Sequence, residues 1–102
     1  MTTNFGDDIA LVTGSSRGIG AATARLLAEH GGNVIVNYRS SDDAAASVAE
    51  DIREMGQKAM AIQADVTNPT AVEEMIDEVE STWGTIDVMI NNANIPFTRK
   101  PI

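Results

Sequence analysis

Apolar residues along the chain fall into two alternating patterns. Short, nearly continuous apolar runs begin at positions 9, 34, 59 and 86: Ile9-Ala10-Leu11-Val12, Val34-Ile35-Val36, Ala59-Met60-Ala61-Ile62 and Ile86-Asp87-Val88-Met89-Ile90. Their continuity, as opposed to strict alternation, predicts strands covered on both faces. Between them apolar positions recur at helical intervals. Ile19, Ala22, Leu26 and Leu27 mark the first helix, Ala45, Val48, Ile52 and Met55 the second, and Val72, Met75, Ile76, Val79 and Trp83 the third. Gly31-Gly32, Gly56 and Gly84 are placed to end these helices. Ser40-Ser41 are cap candidates for the second, with Asp42-Asp43 in its first turn. Asn68 suits the cap of the third, and Pro69 its first helical position.

Strand, helix and strand repeated with short links predict βαβ crossovers and a parallel sheet. Right-handed crossovers carry helices to both faces. The expected fold is α/β: a doubly wound parallel sheet of four strands and three helices. No linker or low-complexity segment divides the chain, so residues 1–102 read as one domain. No helical pattern follows the last run, and the tail Ile95-Pro96-Phe97-Thr98-Arg99-Lys100-Pro101-Ile102 is too short and proline-marked to supply one. The layered fold therefore reads as incomplete.

Composition narrows the classes. Hydrophobic residues make up 43%, too many for a disordered chain. The absence of cysteine excludes disulfides, thiolate nucleophiles and cysteine metal sites, and no metal site is expected. The start, Met1-Thr2-Thr3-Asn4-Phe5-Gly6-Asp7-Asp8, lacks the basic and apolar regions of a secretory signal, and no apolar stretch approaches a membrane span. The expected location is the cytoplasm. Fifteen acidic against seven basic residues give a net charge of −8. Such a field repels nucleic acid and anionic membranes, so neither is an expected partner. It also repels phosphates, so a phosphate site has to rest on local donors.

One segment offers such donors. Thr13-Gly14-Ser15-Ser16-Arg17-Gly18-Ile19-Gly20 joins the first strand to the first helix with the spacing G-x-x-x-G-x-G. It is neither G-x-G-x-x-G nor a Walker loop. Gly14 can take a tight or left-handed turn. Gly18 leaves room for a ligand against the backbone, and Gly20 lets the helix pack close to the strand. The helix start presents free N–H groups and a positive dipole end to a pyrophosphate. Ser15 and Ser16 either donate to that group or only favour the turn.

These residues resemble the cofactor motif of the short-chain dehydrogenase/reductase family. Two further segments are similar: Asp65-Val66 after the third strand matches the family's adenine-contacting Asp-Val, and Asn91-Asn92-Ala93-Asn94 matches its Asn-Asn-Ala-Gly element, with Asn94 in place of glycine. The likeness spans essentially the whole chain. Ala10-Leu11-Val12 through Gly20, with Val36-Asn37-Tyr38-Arg39-Ser40, is most similar to the 3-oxoacyl-acyl-carrier-protein reductase type. The resemblance implies a Rossmann-like sheet, a nicotinamide cofactor, hydride transfer to a carbonyl substrate and a homotetrameric whole protein.

The second strand points to the form of that cofactor. A ribose 2′-hydroxyl wants a carboxylate there, whereas a 2′-phosphate wants arginine. The strand ends in Asn37-Tyr38-Arg39-Ser40, with no acid at Tyr38, where NAD-type relatives carry aspartate. Arg39 can face the phosphate and Ser40 can donate to it. Arg17 stands where NADP-type relatives carry a basic residue. The expected cofactor is NADP(H), with Gly14, Ser15, Ser16, Arg17, Gly18, Ile19, Gly20, Arg39, Ser40, Asp65, Val66, Asn92 and Ala93 at its site. The competing reading makes both arginines ordinary surface charges.

The resemblance also implies a catalytic Tyr-x-x-x-Lys with a serine and a relay asparagine. The single tyrosine, Tyr38, is followed four positions on by Asp42. No catalytic residue is therefore assigned, and these 102 residues are expected to bind cofactor at most, without reductase activity or normal assembly. The other function class open to this fold is a non-catalytic nucleotide-sensing or interaction module; a third reading is a nonfunctional truncated product. Bland roles remain for the rest: His30 favours a helix dipole, Trp83 and Met55, Met60, Met75 and Met89 fill the core, and Asp87 makes structural hydrogen bonds.

Overall fold

The computed structural model describes residues 6–92. Strands β1 (Ile9–Val12), β2 (Asn33–Tyr38), β3 (Ala59–Gln63) and β4 (Val88–Ile90) alternate with helices α1 (Gly18–Glu29), α2 (Asp42–Glu54) and α3 (Pro69–Thr82). All pairings are parallel, and the strand order is β3-β2-β1-β4. Sequence order runs outward from β1 to β3, then α3 returns the chain to the other side of β1. That reversal lies between β1 and β4, where doubly wound sheets open a crevice beyond the carboxyl ends of their strands.

The continuous apolar runs are explained by two covered faces. Alternate residues Ala10 and Val12 of β1 and Val34 and Val36 of β2 pack with Ala21, Ala24, Leu27 and Ala28 of α1 and Ala45, Val48, Ala49 and Ile52 of α2. Ile9, Leu11 and Ile35 point the other way, against Met75 and Val79 of α3. Each fully buried aliphatic side chain contributes about 1.5–3 kcal/mol, so β1 and β2, buried on both sides, anchor the fold.

Three expectations are corrected. The buried face of α1 is Gly20, Ala21, Ala24, Leu27 and Ala28. Of the predicted stripe only Leu27 points inward; Ala22 is exposed, as are Ile19 (78%) and Leu26 (54%). Small residues form the inner face because they let α1 lie close to the sheet. Met55 and Met89 are exposed at 39% and 50%, so they do not fill the core. Met75 is buried, and Met60 and Trp83 pack half-buried against the α3 cluster. The fourth strand starts at Val88, because Asp87 serves as a bracket: its carboxylate accepts from Ile9 N–H (2.8 Å) while its own N–H donates to Ile9 O (2.9 Å).

Helix ends follow the punctuation. Gly31, Gly56 and Gly84 all take positive φ after their helices. Asn68 caps α3, its side chain accepting from Thr70 and Ala71 N–H, with Pro69 at the first position. Ser41 is the cap residue of α2, but its hydroxyl makes no cap bond because it is engaged elsewhere.

Candidate cofactor site

The glycine turn is held by its own polar groups. Ser15 is fully buried; its hydroxyl donates to Val12 O (2.7 Å) and its N–H to Asn37 O (2.9 Å). The hydroxyl proton is thus spent inside the turn, which gives Ser15 the turn-forming role of the two left open, while Ser16 stays half-buried beside it. Gly14 has φ of 61° and Gly18 of 63°, a region that costs side chains about 1–2 kcal/mol. Space around Gly18 is open: a Cβ there would meet nothing within 4 Å. Gly20 is the opposite case, its missing Cβ allowing contact with Gly14 O, Ser15 Cα and Asn92 Nδ2. The amides of residues 17–20 precede the first helical bond, Ala21 N–H to Arg17 O (3.3 Å), so they form the donor end of α1. Ile19 lies exposed on that end.

The carboxyl ends of β2, β3 and β4 surround this turn. Arg17, the N-cap of α1, donates from Nη2 to the Ser41 hydroxyl (2.6 Å), reaching across to the start of α2. Arg39, three-quarters exposed, pairs with Asp65 at 3.7 Å, and Ser40 is exposed beside it. Two guanidinium groups therefore flank one face of the mouth. Asp65 is oriented from the other side by Thr67. The Thr67 hydroxyl (2.6 Å) and then its N–H (3.0 Å) donate to Asp65 Oδ1 and hold its carboxyl below the ordinary 3.8, slight desolvation opposing and the Arg39 charge adding a smaller pull. Thr67→Val should raise the Asp65 midpoint toward 3.8, read by an NMR pH titration. Because the folded value is depressed, the associated stability is present above 3.8 and lost as pH falls through the folded midpoint. An unmoved midpoint would remove the Thr67 hydroxyl as the main cause, since the backbone N–H donates in both forms.

β4 is tied to the turn by two residues. Thr13 Oγ1 donates to Asn91 Oδ1 (3.2 Å) and accepts from Asn92 N–H (2.8 Å), while Asn92 Nδ2 donates to Gly14 O (3.1 Å). Val66 lines an apolar cleft of about 130 Å³ with Leu11, Val72, Met75 and Met89. Ala93 and Asn94 lie outside the described residues. A larger hollow of about 260 Å³ sits at the amino ends of the strands, against Ile9, Asn33 and Trp83. It shares no lining residue with the cleft beside the glycine turn, and ligands of such sheets enter at the carboxyl ends.

Sequence reasoning missed two residues here. Thr13 was visible as part of the motif but received no role. Asn37 is a buried polar residue at the end of an apolar strand, and that placement is itself a signal that something hydrogen-bonds it. Among the described residues no group of His, Cys, Asp and Glu could hold a metal, and no helix is long and apolar enough to cross a membrane.

Fold and site together define a doubly wound, parallel α/β protein with a glycine turn at the carboxyl ends of its strands. The sequence profile of the short chain dehydrogenases matches residues 8–101, and the chain belongs to that family. It is 54% identical over 86 residues to the 3-oxoacyl-[acyl-carrier-protein] reductase FabG of Staphylococcus epidermidis, covering 84% of this chain and 35% of that one. Versicolorin reductase stcU of Emericella nidulans is 45% identical over 87 residues, or 85% of this chain and 33% of the relative. A short chain dehydrogenase from Burkholderia cenocepacia, solved in complex with NADP, superposes with a TM-score of 0.83 at 46% identity, over 88% of this chain and 36% of that one. The chain thus spans only 33–35% of the length of these curated relatives.

Proposed function

We infer that the protein is an NADP(H)-dependent reductase of a carbonyl, of the 3-oxoacyl-acyl-carrier-protein type. The observation that carries the cofactor is the pair Arg17 and Arg39, held by Ser41 and Asp65 at the carboxyl ends of the strands beside an open glycine turn. The residues fit the group. The space a Cβ would fill at Gly18, together with the amides at the start of α1, suits a pyrophosphate. Arg17, Arg39 and Ser40 suit a 2′-phosphate, since planar guanidinium donors match phosphate oxygens. Asp65 and Val66 offer the adenine an acceptor and an apolar wall. Asn92 and Ala93 belong to the nicotinamide side. When bound, the nicotinamide supplies the hydride.

What these residues do is bind and orient. The net charge of −8 repels a multiply charged anion at long range, so affinity depends on the two arginines and the oriented amides. The identity to the FabG and stcU reductases supports a carbonyl substrate. The catalytic tyrosine and lysine of that chemistry have no counterpart among these 102 residues, and the whole protein is read as a homotetramer.

Arg39→Asp tests the cofactor form. The variant should bind NADPH at least roughly tenfold more weakly, because a charge-assisted hydrogen bond contributes about 1.5–3 kcal/mol, while NADH binding holds or improves. Fluorescence titration with both nucleotides gives the ratio. An unchanged ratio means that Arg39 is an ordinary surface charge and the 2′-phosphate assignment is wrong.

A further inference from the structure

Asn37 stands at the carboxyl end of β2, only 2% exposed, and every polar atom of its side chain is engaged by a part of the cofactor mouth or its support. Its Oδ1 accepts from Gly14 N–H at 3.0 Å. Its Nδ2 donates to Ile62 O and Ala64 O, both at 3.3 Å, and approaches Met75 Sδ of α3 at 3.5 Å. Its backbone O accepts from Ser15 N–H. Gly14 opens the glycine turn, and Ala64 immediately precedes Asp65. One side chain therefore spans the turn that faces the pyrophosphate and the loop that faces the adenine.

We propose that Asn37 is a positioning residue for the cofactor, setting the glycine turn and the Asp65 loop at a fixed separation so that one nucleotide can engage both. This rests on the reading of the mouth as a dinucleotide site. The chemistry of the side chain explains why asparagine serves. The turn presents an N–H and the loop presents carbonyl oxygens, so the bridge must accept on one side and donate on the other. An amide does both with one planar group: a carboxylate would face Ile62 O and Ala64 O without protons, and an apolar side chain would take the acceptor from Gly14 N–H and the donor from Ala64 O. A buried polar group left unpaired is costly, so the loops would shift to recover water or other partners. The bonds join segments 23 and 27 residues away from Asn37 along the chain, so no local turn chemistry substitutes for them.

The test uses the intact chain as wild type, Asn37→Ala and Asn37→Leu; leucine keeps the volume without the hydrogen bonds, which guards against simple collapse. The probe is adenosine 2′,5′-bisphosphate, followed by calorimetry, with amide hydrogen exchange read by NMR in the free protein. In both variants the Gly14, Ser15 and Thr67 amides should exchange about tenfold or more faster while Leu11 and Ile35 keep their protection, and probe affinity should fall by about tenfold, the size expected for one or two lost hydrogen bonds. A structural role alone raises exchange across the whole sheet and lowers affinity only by the folded fraction; that result overturns the proposal. So does a leucine variant that binds the probe and protects both loops as wild type does. A wild-type chain that does not take up the probe sinks the dinucleotide reading instead, and the exchange pattern then decides by itself whether Asn37 sets the two loops.

Discussion

Gly20→Val should abolish cofactor binding and destabilise the chain, and it has the largest effect expected of any single substitution in the turn. A Cβ at this position would lie 2.5 Å from Asn92 Nδ2, 2.9 Å from Ser15 Cα and closer still to Gly14 O. None of these can yield cheaply. Two are backbone atoms, and the third is an amide already bonded to Gly14 O. Forcing α1 outward breaks the register between the turn, the helix and the end of β4 at once. Overpacking of this kind costs about 1–3 kcal/mol before the lost hydrogen bonds are added. For a domain of this size each kcal/mol lowers the melting temperature by about 4–8 °C. Gly18→Ala is the control. There φ is +63° but nothing lies within 4 Å, so the variant should fold with about 1–2 kcal/mol of backbone strain. Thermal melts and NADPH titrations of both variants separate the cases. A well-folded Gly20→Val chain that titrates like wild type would show that the close approach is not needed.

The second large effect is a complete absence of turnover. Residues 1–102 purified alone should oxidise no NADPH with any carbonyl, because Tyr38 is the single tyrosine and Asp42 stands where a lysine would be required. They should also associate. β4 pairs only with β1, leaving its other edge free among the described residues, and Met89 on it is half exposed above the apolar cleft lined by Val66 and Val72. Open edges beside apolar surface invite self-pairing. A carbonyl panel monitored by NADPH absorbance, with light scattering across a concentration series, checks both parts. Carbonyl-dependent turnover above the no-protein rate would show that the chemistry resides in groups not assigned here. A monodisperse monomer with one cooperative melt would show that the β4 edge is adequately protected.

How far the sequence was legible depends on what kind of signal each element carried. β1, β2 and the parallel order were readable, because strands buried on both faces leave continuous runs such as Ile9 to Val12. Glycines 31, 56 and 84 announced the helix ends, since each takes a backbone angle that other residues avoid. The inner face of α1 was not readable from size. Hydrophobicity favours Ile19 and Leu26, whereas close packing on the sheet selects Ala21, Ala24 and Ala28, and only geometry distinguishes the two. In the site, the glycine spacing exposed the turn, but its internal bonds could not be foreseen. Ser15 and Ser16 look alike in sequence, yet one is buried with its proton committed to Val12 O. Ser41 is a reasonable cap by composition, but its hydroxyl serves Arg17 from the neighbouring loop. Contacts between segments far apart in the chain, such as Asn37 with Gly14 and Ala64, leave no local pattern beyond a polar residue where an apolar one is expected.

The reversal of strand order has a consequence for synthesis. β1 pairs on one side with β2, which begins at Asn33, but on the other with β4, where Ala10 meets Val88. A ribosome adds about 5–20 residues per second, so the second edge of β1 stays unpaired for roughly 3–10 seconds after its first partner has emerged. Throughout that interval the nascent chain displays a short apolar strand, Ile9–Val12, with one bare side. Slowing translation across α3 should therefore lengthen that interval and lower the soluble yield, which a comparison of synonymous-codon variants checks; an unchanged yield would show that the bare edge is harmless.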